Sequence, residues 1–200
     1  MKRYKYQLIL PVILGLMLCI GCAAKSPGVM KKDSEKSTAK VIAVLPVDNK
    51  TPDSKAPQLL RLKVLDELYF KGYSKLPLEV IDKKLELIYN SERKSGSGVI
   101  SPHAIKELVG ADAAMYCTLT EGKRTASLFY VPVTIAARCE LRSTHTGEIL
   151  WTAQHKTTSR NFDLPGKSLE MKSYEAFETV IEEVVNKVLE TLPDGPNLKG

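Results

Sequence analysis

Three histidines, four cysteines and a handful of carboxylates are the side chains in this 200-residue chain with the chemistry to react or to bind metal. His103, His145 and His155 lie far apart in sequence, without the cysteine or carboxylate spacings of a zinc site. Asp48, Glu79, Asp82 and Asp112 fall at the predicted ends of strands, where catalytic carboxylates could sit, although capping and turn duties explain them more simply. A hydrolase assembled from dispersed residues would have to draw on His103, Asp112 and His145 and bring them within hydrogen-bond reach. No Gly-x-Ser-x-Gly elbow or P-loop occurs, and Gly96-Ser97-Gly98 lacks the third glycine and preceding strand of a dinucleotide fingerprint. No catalytic residue, cofactor site or metal site is assigned.

The strongest chemical signal is at the start of the chain. Lys2, Arg3 and Lys5 precede an apolar run from Leu8 to Ile20, and Gly21 leads into Cys22. A basic start, a short apolar middle and a small-residue exit make a secretory signal. The run of 13 residues falls short of the roughly 20 needed to span hydrocarbon as a helix. Gly21-Cys22 resembles the bacterial lipobox, with Cys19 standing where that motif prefers leucine. The resemblance implies cleavage of residues 1–21 and a lipid-modified Cys22 as the anchoring residue. Ala23, not aspartate, follows Cys22, which by analogy with Gram-negative sorting points to the outer membrane.

Removing residues 1–21 takes away three positive charges and lowers the net charge from +6 to +3. The remaining charges are interleaved and form no aromatic-basic stripe, so nucleic-acid binding is not expected. Residues 22–39 are poor in large apolar side chains and rich in Lys, Ser and Glu, as in a lipidated flexible tether. Residues 40–193 have the length of one domain with a sizeable core, and residues 194–200 follow as a C-terminal tail.

The elements that must position everything else follow from periodicity. Val41-Ile42-Ala43-Val44-Leu45 reads as a central strand ended by Pro46. Leu59, Leu60, Leu65, Leu68 and Tyr69 recur at helical spacing between Lys55 and Lys71, with Gly72 as the stop. Leu78-Glu79-Val80-Ile81 reads as a second strand, completing a β-α-β unit, and a short helix over Asp82–Ser91 carries Leu85 and Ile88. Ser101, Pro102 and Gly110 bracket another helix. Period-two patterns over Ala113–Thr120, Val131–Arg142 and Glu148–Thr158 give three strands of a sheet with one wetter side, bearing Thr134, Arg138, Glu140 and Arg142. A last helix carries Tyr174, Phe177, Ile181, Val184, Val185, Val188 and Leu192 and ends before Pro193. The order β-α-β-α-α-β-β-β-α predicts a single α+β domain, an α/β sandwich on a mixed sheet.

Cys117 and Cys139 fall on apolar-facing strand positions. An oxidising periplasm would permit a disulfide between them. A simple hairpin, however, sets Cys117 opposite a residue near Thr134, so two buried free thiols are expected.

Three segments together resemble a family of small Gram-negative lipoproteins, the domain-of-unknown-function 799 group. They are Val41-Ile42-Ala43-Val44-Leu45-Pro46, Gly110-Ala111-Asp112-Ala113-Ala114-Met115-Tyr116 and Thr146-Gly147-Glu148-Ile149-Leu150-Trp151. Wider relatives are the curli-secretion channel group, the penicillin-binding-protein activator lipoproteins and the amino-terminal domain of TolB. The resemblance implies a TolB amino-terminal-type fold, no enzyme activity and no cofactor. It also implies membrane attachment through the lipid, with the domain facing the periplasm or exposed at the surface. The expected role is a non-enzymatic accessory or scaffold of an envelope transport or assembly system, with an envelope protein as partner. A ring-forming secretion subunit, hence a homo-oligomer, is the alternative, and a periplasmic hydrolase a more distant one. The chain lacks the membrane-crossing segments of the channel-forming relatives, Arg124–Val133 being the only candidate and a short one.

Overall fold

A computed structural model describes residues 39–92, 100–124, 130–162 and 168–198. The elements run in the order β1 (Ile42–Val44), β2 (Asp48–Asn49), α1 (Ala56–Phe70), α2 (Leu78–Glu92), α3 (Pro102–Val109), β3 (Ala113–Arg124), β4 (Tyr130–Ser143), β5 (Ile149–Phe162) and α4 (Ser168–Leu189), then a 3-10 turn at Pro196–Leu198. The sheet is mixed, as expected. β1 and β2 lie in succession along one side of β3 and parallel to it, while β3, β4 and β5 form an antiparallel meander. Pro46 separates β1 from β2; lacking an N–H, it interrupts the ladder.

Each face of the sheet has its own core. Met115, Cys117, Leu119, Ile135, Ala137, Cys139, Leu141 and Trp151 point to one side and pack against Leu60, Val64 and Leu68 of α1 and Phe177, Ile181, Val184 and Val188 of α4. Ala43, Leu45 and Ala114 point to the other, where Ile81 and Leu85 of α2 and Ile105 of α3 cover them. This second layer reaches only the β1 side. The rest of that face, on β4 and β5, is the wetter side anticipated from Arg138, Glu140 and Arg142.

Leu78–Ile81 is not a strand. It forms the first turn of α2, which continues through the segment expected as a separate helix. The amides of Val80 and Ile81 both reach back to the Pro77 carbonyl, and Ile81 and Leu85 are buried while Val80 is exposed. Burial four residues apart is a helical stripe, and a four-residue window is too short to tell it from alternation. The place beside β1 is taken instead by one bridge, in which Ser74 donates its amide to the Lys40 carbonyl at 3.0 Å.

α1 begins where the Asp53 carboxylate accepts the amides of Lys55 and Ala56, each at 2.9 Å. It ends at Gly72, whose φ of +83° allows the Tyr73 amide to return to the Leu68 carbonyl. Arg61, buried midway along α1, donates from Nε and Nη2 to the Val44 carbonyl and holds Asp82 of α2 at 2.7 Å. One side chain thereby ties a strand end to both helical layers. The chain beyond α4 also packs: the Gly195 amide reaches the Lys71 carbonyl, Asn197 reaches Gly72, and the Tyr73 hydroxyl donates to Pro193. No helix among the described residues is long and apolar enough to cross a membrane.

Candidate functional site

The anchoring residue assigned from sequence, Cys22, lies outside the described residues, as does most of the 22–39 segment. What the structure does describe is the root of that segment. Asp112, at the start of β3, receives the amides of Lys40 and Val41 on Oδ2, at 3.0 and 3.1 Å, while Oδ1 holds the Lys106 ammonium of α3 at 3.2 Å. Burial pushes the Asp112 carboxyl up, but the two amides and Lys106 outweigh it and leave it below its ordinary value. A single residue of the β4–β5 turn fixes the other side. Thr144 is fully buried, with Oγ1 2.7 Å from the Ala111 carbonyl and 2.8 Å from that of Asp112. Its amide also donates to Asp112 O. Two of the segments that carried the family resemblance therefore meet at this residue, β1 on the carboxylate and the β3 entry through its own backbone, and the turn residue Thr144, just before the third, holds its carbonyl.

That commitment leaves little of Asp112 for chemistry. His103 is exposed on α3 and His145 exposed in the turn, and among the described residues no hydrogen bond or ion pair joins either to Asp112. Such contacts therefore do not join the dispersed constellation among the described residues. His155 sits opposite Ala137 within β5, six residues past the strand's start, or about 20 Å along it, so the sheet does not pair it with His145. Asp82 and Glu79 lie on α2 and not at a strand end, and Asp48 pairs with Lys50. No cluster of three or more metal-ligating side chains occurs among the described residues.

The expectation of free thiols is overturned. Cys117 and Cys139 are bonded as a disulfide, with Cα atoms 4.1 Å apart. Their strands run further than the alternating pattern suggested, to Arg124 and from Tyr130, with a bulge between Leu119 and Glu121. Moving the reversal beyond Arg124 brings Cys139, instead of Thr134, opposite Cys117. Directly opposed residues share a face, so both sulfurs enter the α1–α4 core.

The uncovered face of the meander carries a ladder of paired charges. Glu140 takes Arg138 on one oxygen and Arg142 on the other, both at 2.7 Å, and the Arg142 guanidinium lies over the Tyr116 ring at 5.3 Å. Further along, the Lys156 and Lys123 ammonium groups hold the Glu121 carboxyl below its usual range. Thr134 and Thr158 share a hydroxyl contact at 3.0 Å. Such exposed pairs contribute little stability. They keep the sheet face solvated.

A family model described as "Putative lipoprotein GNA1162-like" matches residues 32–197. The chain belongs to this family. A relative in it from Neisseria meningitidis serogroup B, also described as a lipoprotein, is 23% identical over 146 residues, covering 71% of this chain and 67% of its own length. The crystal structure of lipoprotein GNA1162 from N. meningitidis aligns with a TM-score of 0.49 at 18% identity, covering 70% of this chain and 96% of that one. The dodecameric PelC of Paraburkholderia phytofirmans aligns at 0.51 and 12% identity, covering 84% and 96%. This last likeness is one of fold alone: an α+β domain on a mixed sheet.

Proposed function

We propose that the protein is an outer-membrane lipoprotein held through lipid on Cys22, whose domain faces the periplasm as a non-enzymatic accessory or scaffold of an envelope transport or assembly system. The observation that carries this reading is the Cys117–Cys139 disulfide. Disulfides persist in oxidising compartments and are rare in the cytosol, so the folded domain itself, independently of the signal at its start, favours life outside the cytoplasm. Membership of a lipoprotein family and the Gly21-Cys22 exit point the same way. A polar, self-paired sheet face without a reactive constellation suits binding better than catalysis.

Density separation of inner and outer membranes tests the location. The protein is expected in the outer-membrane fraction, and recovery in the cytosol would overturn the reading. A second reading, a subunit of a ring, draws on the fold shared with a protein solved as a dodecamer and on β5, a long free edge of the sheet among the described elements. Light scattering of the acyl-free chain separates the two, since a strict monomer at all concentrations counts against a ring.

A further inference from the structure

One end of the domain combines the tether's root with exposed aromatic side chains. Phe70 is 71% exposed and Tyr69 57%, at the last turn of α1, with their rings packed edge to face at 6.0 Å. Leu198, 52% exposed, lies against Gly72. The Ser74 amide, four residues past Phe70, is bonded to the Lys40 carbonyl, which keeps Phe70 within about 20 Å of Lys40, near where the described chain begins. Lysines surround the aromatic pair. Lys75 is 5.9 Å from the Tyr69 ring centroid and paired with Asp66, and Lys71 faces Asp194. Lys40 is exposed and has no ion pair among the described residues. Of the carboxylates at this end, Asp66 and Asp194 are matched by cations, while Glu67, one turn before Phe70 on α1, makes no ion pair among the described residues.

We infer that this end, formed by Tyr69, Phe70 and Leu198 with Lys40 and Lys75 at its margin, rests on the headgroup interface of the membrane that holds the anchor. The inference relies on the reading of Cys22 as the attachment point. Seventeen peptide steps join Cys22 to Ala39, which limits their separation to about 60 Å and keeps the root end toward the lipid. Within that reach, orientation is decided by what the domain presents. Aromatic rings prefer the membrane–water interface, and lysine stems lie along apolar surface with the ammonium group in water. Docked this way, Phe70 enters about 5–10 Å into the headgroup boundary. The charged sheet face and the far end of the meander are left free for a partner.

The test uses the chain from Cys22 onward, coupled through that cysteine to a maleimide lipid; Cys117 and Cys139 are bonded to each other and do not compete. The vesicles contain phosphatidylethanolamine and phosphatidylglycerol with brominated acyl chains. Phe70→Trp should lose emission on brominated relative to unbrominated vesicles, while Gln154→Trp, on the exposed sheet face, should not. Equal response at the two positions overturns the inference. So does a shielded Phe70→Trp signal without vesicles, which means the chain's own N-terminal segment covers the site, or one that follows protein density and not bromination, which means a second copy does. Because the anchor is chemical, these outcomes are independent of whether cells lipidate Cys22.

Discussion

Cys139 stands directly opposite Cys117 across the β3–β4 pair, and the bond between them crosses a core face covered by α1 and α4. The bridge ties residues 22 apart in sequence. Closing a loop of that size removes unfolded-state entropy worth about 3 kcal/mol. The double variant Cys117→Ala/Cys139→Ala should lose stability of that order in urea unfolding, and dithiothreitol should reproduce the loss in the wild type. An unchanged midpoint under reduction would show that the bridge contributes nothing.

Asp112 gives the fold a pH dependence. Its folded-state carboxyl lies below its ordinary value, so its contribution is complete above the unfolded pKa, about 4, and disappears as pH falls through the depressed folded value. Asp112→Asn removes the charge that the Lys40 and Val41 amides and Lys106 engage. At pH 7 the variant should be less stable by about 1–3 kcal/mol, and the gap should close below about pH 4. A gap that stayed constant with pH would assign the loss to shape instead of charge.

Arg61 joins β1, α1 and α2. Arg61→Met keeps the apolar stem but abandons the Val44 carbonyl and Asp82. Losing a buried partner of this kind costs about 2–4 kcal/mol. Asp82→Asn should cost less, because Asp82 is half exposed and the carbonyl contacts survive. Thermal unfolding of both variants and of the double variant measures the coupling, and purely additive effects would remove the link between the layers.

Gly72 is a position where glycine is required twice over. Its φ is +83°, and an added Cβ would come within 2.7 Å of the Leu198 backbone nitrogen. Gly72→Ala should therefore destabilise by more than about 1 kcal/mol. Deleting residues 196–200 should weaken the wild type but cost the variant less, because the collision goes with the segment. Equal cost in both backgrounds would mean that the C-terminal segment does not press on Gly72.

Much of this architecture was legible in the sequence because the signals were long. Eight to twelve residues of alternation over Ala113–Thr120, Val131–Arg142 and Glu148–Thr158, and the Phe177–Val188 stripe, leave no other period to fit. Leu78–Ile81 is ambiguous in sequence because a window of four apolar-rich residues fits a strand and a helix equally, and Pro77 marks the start of either. The disulfide was missed for a different reason. Pairing depends on where the hairpin reverses, and the pattern at Thr120 is blurred by a bulge that shifts the register by one residue. The convergence on Asp112 was hidden too, since Asp112, Thr144 and Lys40 are adjacent only after β1 docks beside β3.

The central claim is that Cys22 ties the domain to a membrane. Its most direct measurement is the partitioning of wild type and Cys22→Ala between membrane and soluble fractions of the same cells. The account predicts wild type in the membrane fraction and the variant released as a soluble, disulfide-bonded domain. Equal partitioning of the two, in either fraction, would contradict it.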